Sequence, residues 1–89
     1  MEKVAPDDVL WFRDRLRANG WKPETVARII RVLESEDADE EIVDRDLEEL
    51  ARGQIGQLII ARFKEHGLTR IVGAMLQTQG KALFRKGIR

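Results

Sequence analysis

The sequence predicts an all-α fold, a compact bundle of four to five short helices that make one domain of residues 1–89. Three observations lead to it. Apolar residues recur at three- and four-residue spacing, alternating β-branched runs are scarce, and helix start and stop residues flank the periodic stretches. With 43% hydrophobic and 36% charged residues the chain is apolar enough in those stretches to build a core. Helices are expected over 6–18, 23–35, 39–66 with a break at 53–56 where glycines fall, 69–79 and 81–86.

Pro6 suits the first position of the opening helix, and Asp7 and Asp8 suit the positive end of its dipole. Val9, Phe12 and Leu16 share one face. Asn19-Gly20 supplies the stop, and Trp21 falls where a residue after a C-terminal glycine packs back on Leu16. Pro23 restarts the chain as a second helix, with Trp21 and Val26 at hydrophobic-staple positions. Val26, Ile29, Ile30 and Leu33 then give the spacing of a half-buried helix.

After Leu33 the periodicity lapses in an acidic stretch, where Asp37 or Asp39 can cap a third helix. Val43, Leu47, Leu50 and Ala51 are expected to continue the core stripe. Gly53 and Gly56 either break this helix or let another backbone come close, since each costs about 1 kcal/mol in a helix interior. Gly67 followed by Leu68 marks the next stop, with Phe63 as the packing partner. Leu68, Ile71, Val72, Met75 and Leu76 form the last strong apolar face, and Gly80 is expected to end that helix before a short basic one.

Charge is unevenly distributed although the formal net is zero. Residues 34–49 hold ten carboxylates against Arg45, and residues 51–89 hold eight Lys or Arg against Glu65. Such a split means that the halves attract one another or address different surfaces. The stretch MEKVAPDD has no apolar signal core, and the longest apolar run is Leu58 to Ala61, so a cytoplasmic protein is expected, neither secreted nor membrane-spanning.

Chemistry-bearing residues are few: one His, one Ser, no Cys and no Tyr. His66 falls at a helix C-terminus, where it caps, and Ser35 has no His near it in sequence, so no enzyme is predicted. Asp37, Asp39, Glu41 and Glu48 match four positions of a calcium loop, but Ile42 stands where that loop needs glycine. No metal, cofactor or small-molecule substrate is expected.

The leading functional expectation is a non-enzymatic interaction module that docks on a partner protein or on a second copy. Gly53, Gly56, Gly73, Ala74, Gln77 and Trp11 are its candidate contact residues, because 53–61 carries no charge and 71–80 has a small, neutral polar side. The alternative is nucleic-acid binding through Arg70, Lys81, Arg85 and Lys86, on a segment after Gly80 whose composition is like that of the reading helix of a helix-turn-helix. A further alternative is an inhibitor that mimics nucleic acid with Asp37, Asp39, Glu40, Glu41, Asp44 and Asp46. The string VLWFRDRLRANGWKPETVARIIRVLE is similar to the first helical hairpin of the core-binding domain in tyrosine recombinases, where a helix also ends before a turn with proline and threonine. That resemblance covers residues 9–34, adds to the nucleic-acid-binding alternative, and comes without a catalytic domain.

Overall fold

The computed structural model describes residues 4–35 and 40–87, with side chains through Lys81. The described residues form five helices and no strand: α1 (Pro6–Ala18), α2 (Pro23–Glu34), α3 (Asp44–Leu50), α4 (Gly53–Glu65) and α5 (Thr69–Gly87). Contacts group into two compact units, Met1–Asp46 and Leu47–Arg89.

The N-terminal unit is built on a helical hairpin. Pro6 and Pro23 each open a helix, and the chain reverses between them at Gly20, whose φ of 83° favours a residue without a Cβ. Trp21 N–H donates to Leu16 O at 3.1 Å and Gly20 N–H to Arg17 O at 3.0 Å, the paired bonds of a Schellman motif. The Asn19 side-chain amide adds a second donor to Arg15 O at 2.8 Å, beside the Asn19 backbone N–H at 3.2 Å. Phe12, Leu16 and Ile29 are fully buried, with Val4, Val26 and Leu33 nearly so.

The same turn chemistry recurs in the C-terminal unit. Gly67, with φ 77°, follows α4, Leu68 N–H donates to Phe63 O at 2.9 Å, and Gly67 N–H donates to Lys64 O at 3.1 Å. Phe63, Ile59, Leu50 and Met75 are fully buried here, with Leu68 and Val72 close to it. The turn aligns Leu68, just before α5, with Val72 and Met75 as one buried line.

Both expectations for the paired glycines are realised, one at each position. Gly53 has φ 66° and breaks α3 from α4. Gly56 is buried against backbone: a Cβ there would lie 2.7 Å from the carbonyl carbon and oxygen of Ala51 and from Leu50 O. The Gln79 amide donates to the same Ala51 oxygen at 2.7 Å, so α5 also ties down the end of α3.

Several expectations are corrected. The third helix begins at Asp44 and not at residue 39, because residues 40–43 are non-helical; the crowded carboxylates oppose a helix there. Asp37 and Asp39 lie outside the described residues. Val43 leaves the core stripe with 48% exposure, and Asp46 is buried instead. Leu76, also 48% exposed, leaves the apolar face of α5. Gly80 does not end a helix: α5 runs from Thr69 through it to Gly87, so no separate basic helix follows. One glycine's propensity cost does not outweigh the hydrogen bonds of a continuous helix.

The glycines give opposite predictions. Gly56→Ala is expected to lower the unfolding free energy by about 1–3 kcal/mol, the usual cost of overpacking. Gly80→Ala, with nothing within 4 Å of the added Cβ, is expected to raise it by about 0.5–1 kcal/mol. Urea denaturation followed by far-ultraviolet circular dichroism checks both.

Candidate interaction surfaces

In the N-terminal unit the acidic stretch turns part of its charge inward. Arg28 of α2 grips Asp46 with two bonds, Nε to Oδ2 at 2.7 Å and Nη2 to Oδ1 at 2.9 Å. The Asp46 side chain is only 4% exposed, and Arg45 lies 4.0 Å away. The hydrogen bond from Arg28 holds the Asp46 carboxyl below its ordinary range, against the opposing effect of burial. Reciprocally, the bond to Asp46 raises the Arg28 guanidinium above its ordinary value. Glu40 accepts from the Ser35 hydroxyl at 2.9 Å and lies 3.8 Å from Arg31. Thus Asp46 and Glu40 of the proposed acidic surface are held by arginines of α2, while Glu41 and Asp44 are exposed.

The candidate contact residues fall into different settings. Gly53 serves the break between α3 and α4, and Gly56 the close backbone approach, so intramolecular geometry accounts for both. Gly73 and Gln77 are exposed, and a Cβ on Gly73 would meet nothing. Ala74 is half-buried, and its carbonyl accepts from the Thr78 hydroxyl at 3.0 Å. Trp11 is half-buried in the N-terminal unit with the Arg15 guanidinium 5.5 Å from its ring centroid, a cation–π arrangement one turn apart. Arg70 and Lys81 are exposed on α5, whereas the side chains of Arg85 and Lys86 lie outside the described residues.

Two surfaces stand out. On α4 the exposed Gln54, Gln57, Leu58 and Ala61 and on α5 the exposed Gly73, Leu76 and Gln77 form uncharged patches, with Lys64, Glu65, Arg70 and Lys81 exposed at their ends. Leu58 and Leu76 keep 47% and 48% of their area exposed. The second surface lies along the N-terminal hairpin, where a groove of about 610 Å³ runs between α1 and α2. Sequence periodicity had no signal for this groove, because Leu10 and Ala27 lie beside the apolar stripes and not on them.

No family model, curated protein or solved structure matches the chain. Among the described residues no group of His, Cys, Asp and Glu could hold a metal ion, and no helix is long and apolar enough to cross a membrane.

Because its folded-state pKa is depressed, Asp46 contributes stability that is present above the ordinary aspartate value of about 3.9 and is lost as pH falls through the lower folded value. Asp46→Asn is therefore expected to melt below the wild type at neutral pH. The gap should close as the pH falls below the carboxylate range. Thermal melts of both proteins across an acid series measure it.

Proposed function

We propose that the protein is a non-enzymatic interaction module that associates with a second copy, or docks on a partner protein, through the exposed faces of α4 and α5. The uncharged patch carrying Leu58 and Leu76 is the observation that supports this reading. Two leucines left half-exposed beside uncharged neighbours gain from being covered, and each apolar side chain removed from water contributes about 1.5–3 kcal/mol when fully buried. A second copy is the simplest occupant, because the uncharged patch between Lys64, Arg70 and Lys81 can meet itself with those cations left at its ends.

Sedimentation velocity over a concentration series tests it. The wild type is expected to associate, and Leu58→Lys with Leu76→Lys to shift the equilibrium to monomer with helicity retained. Gly73→Leu is likewise expected to weaken assembly. A wild type that stays monomeric throughout, or a double variant that assembles equally well, contradicts self-association.

Nucleic-acid binding is the second reading, favoured by the exposure of Arg70 and Lys81 on the same helix. It predicts duplex binding that falls steeply with salt and is lost when Lys81, Arg85 and Lys86 are replaced together. Fluorescence anisotropy with labelled mixed-sequence DNA measures it.

A further inference from the structure

We infer that the groove between α1 and α2 is a docking site for an amphipathic helix of another protein that carries carboxylates beside its apolar stripe. This surface lies within the N-terminal unit and does not depend on the α4 and α5 faces. One wall runs from Pro6 to Arg17 and the other from Pro23 to Glu34, so the groove follows both helices over their length. A helix of the thirteen residues of α1 extends about 20 Å, room for three to four turns of an incoming helix.

The floor is aliphatic. Val9, Leu10, Val26, Ala27 and Ile30 line it, and they grade from Val26 at 2% exposure to Leu10 at 48%. The depth therefore begins at the core of the unit and opens outward, as an apolar stripe with i, i+3, i+4 and i+7 anchors requires. None of the described lining residues is aromatic, so they offer no stacking platform for bases. A nucleic acid would engage the charged walls and leave the aliphatic floor in water.

The charges on the walls select the partner. Among the described lining residues, Arg13, Arg17 and Arg31 stand against one carboxylate, that of Glu34. Arg13 and Arg17 lie one turn apart on α1, matching carboxylates one turn apart on the incoming helix, and guanidinium groups bind carboxylates in a two-pronged geometry. The walls already meet carboxylates within the chain, each through one approach: Arg31 lies 3.8 Å from Glu40 with its side chain 78% exposed, and Arg13 lies 3.4 Å from Asp14. An exposed pair such as Arg13 with Asp14 contributes little to folding and exchanges readily for an incoming carboxylate. An acidic amphipathic helix therefore satisfies the floor and the walls together.

The test is selection from a displayed library of single helices against the full-length protein, followed by mapping of the enriched helices on ¹⁵N–¹H spectra. Enriched helices are expected to carry Asp or Glu flanking an apolar stripe and to shift the amides of Leu10, Ala27 and Ile30. Arg13→Glu with Arg17→Glu is expected to weaken binding at least about tenfold, as expected for charge pairs across an interface. Leu58→Lys with Leu76→Lys should leave it unchanged. The proposal is overturned if no helix is enriched, if the enriched helices lack acidic residues, or if the shifted amides lie outside α1 and α2. Loss of binding only in the leucine variant would assign the ligand to the α4 and α5 faces. Salt-sensitive DNA binding through Arg13, Arg17 and Arg31, without acidic helices, would overturn it in favour of nucleic acid.

Discussion

The carbonyl of Ala51 is the point on which the C-terminal unit depends. There α3 has just ended, Gly56 lies against the peptide with no room for a Cβ, and Gln79 reaches from α5 to donate to the oxygen. A buried carbonyl without a donor costs about 1–3 kcal/mol, so the Gln79 bond stabilises a helix end that would otherwise need water. Gly53 turns the backbone into the left-handed region just beyond, and this lets α4 start close to the end of α3. Glycine is thus required twice within four residues for different reasons, one of conformation and one of space.

Each unit contains a hairpin closed by the same device. Leu16 to Trp21 and Phe63 to Leu68 pair through Schellman bonds around Gly20 and Gly67. In both cases the carbonyl that accepts the final bond belongs to a buried side chain of the preceding helix. The turn and the core are consequently fixed by one residue, so local backbone preference and burial favour the same arrangement. This is why the two hairpins were legible in the sequence: Asn19-Gly20-Trp21 and His66-Gly67-Leu68 carry the signal within a few residues.

Long-range pairing was not legible. Val43 fits an apolar stripe by spacing alone, but Asp46 faces inward because Arg28, eighteen residues earlier, supplies a two-pronged partner for its carboxylate. Periodicity treats an acidic residue as solvent-facing, and only the three-dimensional position of Arg28 reverses that assignment. Leu76 and Gly80 show the complementary limit. Spacing places Leu76 on a face without saying how far that face is covered, and a glycine marks a helix end only where φ turns positive, which Gly80 does not do. Among the candidate contact residues, Gly53 and Gly56 were recognised as special, but whether a glycine serves the chain itself or a partner depends on which atoms surround it.

The polar and glycine features that suggest a site in one dimension are therefore largely used inside the fold: Asp46 by Arg28, Glu40 by Ser35 and Arg31, Gly56 by Ala51. What is left outward on α4 and α5 includes an uncharged patch with two half-exposed leucines, flanked by Lys64, Arg70 and Lys81. The central claim is that this patch is where the protein meets another copy or another protein. The most direct test is a dilution series of ¹⁵N–¹H spectra of the full-length protein. The account predicts concentration-dependent shifts at Leu58, Gly73, Leu76 and Gln77, with the amides of Arg28 and Asp46 constant. Spectra that do not change with concentration, or changes confined to residues away from α4 and α5, would contradict self-association through these faces.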